Sequence, residues 1–309
     1  MILEPIPPYR LDLILSVLAR YTHPMADALH AGAYWRALTF PEGLALFRVV
    51  STAPADAPRL DVTQEAGAVV PEQAVLARLG HILGVEIDHR PFYAMAQADA
   101  DPRLWQMIEP ITGLRFLRTD STYEALMMTI IEQQIAWTAA QKAQRWLVEW
   151  GGQAITHDGR TFYAFPAPER IANATLNDLA PLKITFKRMQ VMIDVSQQIV
   201  MGELALEAVQ QLPLEAAYAL LVGIKGIGHW TATWTLQRTL GVHNYVGHND
   251  VALQAAVNHY FYGGQGRIPP QQVVDTFARY GDYAGLAANY TIMRWVLDRY
   301  APASGMPQT

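Results

Sequence analysis

The 309 residues contain no cysteine, and among 23 basic side chains only Lys142, Lys183, Lys187 and Lys225 are lysines. Without cysteine there can be no disulfide, no thiolate-held zinc and no iron–sulfur cluster, which suits a reducing compartment. Basic excess is lacking as well. The net charge is −5 and the pI is near 6.0, so the whole chain is not the cation that a polyanionic ligand would select. Long apolar runs are missing too. The opening MILEPIPPYRLDL places prolines and Asp12 where a secretion signal needs an unbroken apolar core, and no later stretch approaches a membrane span. A cytoplasmic monomer with no membrane partner is the expectation.

Apolar residues are plentiful at 51%, enough for a sizeable core. Residues 1–120 hold 14 acids and 10 bases, residues 121–242 hold 10 and 9, and residues 243–309 hold 4 and 4. The acid excess thus lies at the front and all the lysines in the middle. A phosphate-binding face would belong there; the plainer alternative is a solvated surface.

The pattern along the chain changes once. In the first hundred residues a helical spacing around Leu11 to Arg20 is followed by two alternating runs, Tyr34 to Leu38 and Leu44 to Val50, separated by Pro41-Glu42-Gly43. They predict a hairpin. A loop from Thr52 to Arg59 and a helix from Pro71 to Leu83 complete a small α+β unit. Beyond about Ser121 the spacing is helical: one long run from Tyr123 to Trp150 stopped by Gly151-Gly152, then Pro168 to Ala174, Leu176 to Leu182, Phe186 to Met201 and Leu214 to Val222. The fold class is α+β, with a mixed segment followed by an all-α one.

The segment most informative about chemistry is Leu220-Leu221-Val222-Gly223-Ile224-Lys225-Gly226-Ile227-Gly228-His229-Trp230-Thr231-Ala232. It joins two helices by a turn whose glycines, Gly226 and Gly228, let another chain approach the backbone. The second helix starts with free N–H groups that suit a phosphate, a grip that reads no base sequence. Glycines also end helices for structural reasons alone. Some two dozen residues later, Tyr245-Val246-Gly247-His248-Asn249-Asp250-Val251 opens another helix. Asp250 could be a catalytic carboxylate or only a helix cap, and Asn249 could cap in its place.

These residues resemble the helix-hairpin-helix DNA glycosylase superfamily, in particular its 3-methyladenine DNA glycosylase II branch. The family hairpin is similar to Gly226-Ile227-Gly228-His229-Trp230-Thr231-Ala232, with the catalytic aspartate at the spacing of Asp250. Pro7-Pro8-Tyr9, Tyr123-Glu124-Ala125-Leu126, Ile131-Glu132-Gln133-Gln134, Phe165 to Arg170 and Lys187-Arg188 extend the likeness over most of the chain. The resemblance implies an N-terminal mixed α/β domain like half of a TATA-binding-protein fold (residues 1–100). A connecting segment (101–121) would pack with the C-terminal helices. A central helical subdomain (122–242) would hold the hairpin and a C-terminal one (243–309) the aspartate.

The implied function is excision of alkylated purines from damaged double-stranded DNA by hydrolysis of the N-glycosidic bond, leaving an abasic site in base excision repair. Asp250 would be catalytic. Trp230, Trp234 and, in the last helix, Tyr290 would line the base pocket, with Trp295 a further candidate. Lys225, Gly226, Gly228, His229, Thr231, Gln133 and Gln134 would meet DNA, Gln134 at the position of a wedge. Bifunctional relatives carry a lysine nucleophile where this chain has Trp230, which cannot form a Schiff base, so no lyase activity is expected. No cofactor is implied, although relatives leave room for a sodium or potassium ion at hairpin carbonyls near Gly223 and Gly226. The spacing of His229, His243 and His248 does not suit a metal triad and leaves them surface, phosphate-contacting or structural. Tyr283-Ala284-Gly285-Leu286 departs from a Trp-Arg-Ser-like family sequence, which puts the pocket wall in doubt. The rival readings are a DNA-binding protein without catalysis and a glycosylase of the same fold for another damaged base.

Overall fold

The computed structural model describes residues 1–20 and 26–299; residues 300–309, within the expected last subdomain, lie outside the described residues. An antiparallel sheet comes first: β1 (Ile2–Leu3), β2 (Asp27–His30), β3 (Ala33–Phe40), β4 (Gly43–Ser51) and β5 (Leu60–Gly67), in the order β1-β5-β4-β3-β2. The expected hairpin is β3–β4, in register from Tyr34 opposite Val49 to Phe40 opposite Gly43. On one face of this sheet and beside it pack α1 (Leu11–Leu18), α2 (Glu72–Leu83), α3 (Arg90–Ala98) and α4 (Arg103–Ile108).

The other face of β3 is also covered, by a second hairpin that the helical spacing did not predict. It consists of β6 (Ala154–His157) and β7 (Arg160–Tyr163), and Trp35 of β3 stacks on Phe162 with ring centroids 5.1 Å apart. Both faces of β3 are therefore buried, and Arg36, on the face opposite Trp35, lies inside. It is 1% exposed and charge-paired with Asp27 of the neighbouring strand and Glu124 of the helical part. Burial without those carboxylates would be costly for a guanidinium.

The helical part contains α5 (Thr122–Glu132), α6 (Trp137–Gly151), α7 (Pro168–Ala172), α8 (Leu176–Leu179), α9 (Phe186–Val200), α10 (Leu214–Gly223) and α11 (His229–Leu240). The chain then forms α12 (Val251–Tyr262), α13 (Pro270–Ala278) and α14 (Ala284–Arg299). The single helix read from Tyr123 to Trp150 is two. Gln133 turns extended and Gln134 takes φ +51°, so the ladder breaks although the side chains continue at helical spacing.

Two cores result. One joins the sheet and α1–α4 to Leu253, Val257 and Phe261 of α12, Phe277 of α13 and Tyr290 of α14. The other joins α5 to α11, with Leu126, Ile130, Met192, Leu221, Ala232 and Leu236 at its centre. The hairpin lies in the second core and the start of α12 in the first, so Asp250 occupies the seam between them. No helix among the described residues is long and apolar enough to cross a membrane.

Candidate functional site

Helix α10 ends at Gly223, and residues 224–228 turn the chain into α11. Ile224 and Ile227 are buried and anchor the turn in the second core, while Lys225, Gly226 and Gly228 face outward. The two glycines have different physical reasons. Gly226 has φ +95°, and a Cβ there would stand 2.6 Å from Val191 Cγ2 of α9, so this glycine serves the protein's own packing. Gly228 has φ −98°, which any residue can adopt, and a Cβ there would meet nothing within 4 Å. The open space beside Gly228 lies at the N-cap of α11, where no side chain caps the helix. The N–H groups of the first turn have no intrahelical partner by construction.

The first turn of α11 carries His229, Trp230 and Thr231. His229 is exposed, and its Nδ1 lies 2.9 Å from the Tyr218 hydroxyl of α10. Tyr245 packs edge-on against the same imidazole, 5.0 Å between centroids. Tyr218, Thr233, Val242 and Asn244 with these two line a cavity of about 270 Å³. Sequence reading missed Tyr218 because its tie to His229 spans two helices and leaves no spacing signal. Thr231, expected at DNA, is buried, and its hydroxyl accepts a 2.8 Å bond from Gln133 Nε2. Those two side chains are therefore an internal strut between the end of α5 and the start of α11. Beside that strut Gln134 is exposed, in the left-handed conformation.

Trp230 and Trp234 are half-buried neighbours, with ring centroids 6.1 Å apart and planes inclined by 51°. The Trp234 indole N–H is buried and has no acceptor among the described residues. Tyr290, expected with them in the base pocket, is fully buried instead. Its hydroxyl lies 2.5 Å from that of Tyr93 and 3.0 Å from His89 Nδ1, and donates to the Leu114 carbonyl. It is a core residue because its helix passes between the sheet's helices and α12. Trp295 is buried as well, against His259 and Tyr260.

After α11 the chain runs back along that helix towards its start. Tyr245 reaches His229, and Gly247 passes the Trp234 ring, to which a Cβ would come within 3.8 Å. The Asp250 N–H bonds the Gly247 carbonyl at 2.8 Å, so α12 begins beside the tryptophan face of α11. This return path also explains the departure at Gly285. A Cβ there would collide with the His243 carbonyl and lie 3.0 Å from the Tyr245 nitrogen, so no serine fits. His243 itself is buried beside Phe116, not on the surface, and burial pushes its imidazole down to about 4.

Asp250, and not Asn249, is the N-cap of α12. Its Oδ1 accepts from the N–H groups of Ala252 at 2.7 Å and Leu253 at 2.9 Å. Oδ2 has no hydrogen-bond partner among the described residues, and the residue is only half buried. The cap therefore fixes the carboxylate without consuming it. One oxygen is locked to the helix and the other is left available to a group entering the seam.

Comparison with known proteins agrees with this architecture. The chain is 36% identical over 153 residues to a DNA-3-methyladenine glycosylase of Bacillus subtilis, a match covering 50% of each chain. It thus spans about half the length of that relative. A 3-methyladenine DNA glycosylase from Archaeoglobus fulgidus shares the fold with a TM-score of 0.78 at 22% identity, covering 97% of this chain and 99% of that one. A Clostridium acetobutylicum 8-oxoguanine glycosylase/lyase, solved with double-stranded DNA, superposes with a TM-score of 0.69 at 17% identity over 95% of this chain and 96% of that one. No protein-family model matches the chain.

Proposed function

We propose that this chain is a DNA glycosylase of the helix-hairpin-helix superfamily and that it hydrolyses the N-glycosidic bond of alkylated purines in duplex DNA. The observation that carries the reading is the Asp250 carboxylate, held by two backbone N–H groups with its second oxygen free, beside the Trp230–Trp234 face.

The uncapped start of α11 and the open space at Gly228 receive a phosphate, and Lys225 adds a cation next to it. The grip positions the duplex without reading it. The damaged nucleotide turns out of the stack, at a cost of a few kcal/mol that the lesion itself reduces, and Gln134 fills the gap. In the seam the base stacks on Trp230 and Trp234. An alkylated, electron-deficient purine is favoured there as a cation is by an aromatic face.

As the bond to the base lengthens, positive charge grows on the sugar and the fixed carboxylate of Asp250 opposes it. A purine carrying an extra alkyl group on a ring nitrogen departs as a neutral base, so no acid is needed to protonate it. One carboxylate is therefore enough. Water then adds to the anomeric carbon and loses its proton, leaving an abasic site. Trp230 stands where a lyase needs an amine, and the exposed Lys225 lies outside the seam, so the strand stays intact.

Among the described residues no donor bonds the backbone carbonyls of Gly223 or Gly226, so these oxygens fit a sodium or potassium ion that would steady the phosphate. The test is product analysis on methylated duplex DNA. Free alkylpurine should appear, and the strand should break only after alkali. Absence of released base, or a nick concurrent with release that borohydride traps as a protein adduct, would overturn the proposal.

A further inference from the structure

The mechanism leaves unused a patch at the start of α9. Phe186 is 68% exposed, one of the most exposed large apolar side chains described. Lys183 and Lys187 flank it and are exposed as well. Residues 179–193, between Asp178 and Asp194, contain Lys183, Lys187 and Arg188 and no carboxylate, in a chain whose net charge is −5. With Lys225 in the hairpin, three of the four lysines thus fall on α9 or its approach and on the turn.

Packing ties the patch to the hairpin. Val191 of α9 fills the space that a Cβ on Gly226 would need, and Lys187 lies four residues before Val191, on the same stripe of the helix. The cation therefore projects from the face that abuts the turn. Lys183 has φ +55°, a backbone state that lysine rarely adopts, just ahead of this face.

We propose that the start of α9 is a second DNA contact, continuous with the hairpin, in which Lys183 and Lys187 meet phosphates and Phe186 stacks on a base unstacked at the lesion. The inference rests on the glycosylase reading and adds to it a contact that the hairpin does not supply. DNA is favoured over a protein partner by the sign of the charge around the aromatic ring and by continuity with the phosphate-gripping turn. An exposed phenylalanine flanked by exposed lysines matches what a base in an opened duplex offers, a flat π-face beside an anionic backbone.

The experiment measures affinity for a duplex with a tetrahydrofuran abasic analogue, across salt concentrations, for the wild type, Phe186→Ala and the Lys183→Gln/Lys187→Gln pair. A 2-aminopurine beside the analogue reports stacking. Phe186→Ala should weaken binding about tenfold, as loss of one base–aromatic stack does, and should abolish the quenching of 2-aminopurine. The lysine pair should reduce the slope of log K against log salt by about two. All three residues are exposed, so melting temperatures should not move. Variants that bind with unchanged affinity, salt slope and quenching, while the wild type binds and releases base, overturn this inference and leave the glycosylase reading standing. A wild type that neither binds the duplex nor releases base overturns both.

Discussion

Replacing Asp250 by asparagine separates two roles that this residue combines. The side-chain carbonyl of asparagine can accept the same N–H groups of Ala252 and Leu253 that Oδ1 now accepts, and asparagine ranks with aspartate as an N-cap. What disappears is the charge. Its interaction with the helix start contributes about 0.3–1 kcal/mol, which for a protein of this size lowers the melting temperature by only about 0.5–1.5 °C. Opposite a sugar cation the same charge, about 4 Å away at an effective dielectric constant of about 20, is worth roughly 4 kcal/mol. That is about a thousandfold in rate. Single-turnover base release with enzyme in excess should therefore fall by about three orders of magnitude, while thermal unfolding and DNA affinity barely change. Asp250→Ala, which also deletes the cap, should lose about a further 1 kcal/mol of stability with no further loss of rate. Retention of more than about a tenth of wild-type activity in the asparagine variant, or a loss that merely tracks the unfolded fraction, would refute the reasoning.

Two further predictions concern the turn and the core. Gly228→Ala should leave the melting temperature unchanged, because its φ of −98° is permitted and nothing lies within 4 Å of the new Cβ. DNA affinity should nonetheless drop several-fold if the backbone meets a phosphate there, and unaltered affinity would contradict that contact. Gly226→Ala should instead unfold more easily by about 1–3 kcal/mol, since φ is +95° and Val191 Cγ2 is 2.6 Å from the added atom. A differential calorimetry trace identical to wild type would contradict it. Acid should weaken the fold through two buried histidines. Burial pushes His243 down to about 4 and holds His89 well below the usual range, so both are neutral in the folded chain. The unfolded chain takes up those protons near pH 6.5, so stability is complete above that pH and declines as pH falls towards 4, with His243 contributing about 3 kcal/mol. Urea midpoints at pH 7.5 and pH 5 measure this, and equal midpoints would exclude it.

Much of the fold was legible because local and tertiary preferences agree. The alternation of Tyr34 to Leu38 and of Leu44 to Val50 specifies a hairpin, and it forms. Strand β5 went unread because Thr63-Gln64-Glu65 is polar and its place is fixed by pairing with β4. Hairpin β6–β7 went unread because its one buried ring, Phe162, packs against Trp35 and its neighbours in the sheet, more than a hundred residues earlier. The break at Gln133-Gln134 has no signal in spacing; the bond from Gln133 to Thr231 of another helix accompanies it. At the candidate site the hairpin and Asp250 were visible through glycine and carboxylate placement. The misplacing of Tyr290 has an equally physical cause. Aromatic residues at helical spacing look alike whether they face a pocket or a core, and only the contacts with Tyr93, His89 and Leu114 distinguish them.

The most direct measurement is the affinity of wild type and Asp250→Asn for two duplexes that differ only at the lesion. One carries a neutral tetrahydrofuran and the other a pyrrolidine whose ring nitrogen is cationic, in place of the charge that develops on the sugar. Tight binding to the cation, with the preference abolished in the asparagine variant, is the predicted result. Equal affinity of the wild type for both duplexes would mean that the free oxygen of Asp250 does not face the reacting sugar.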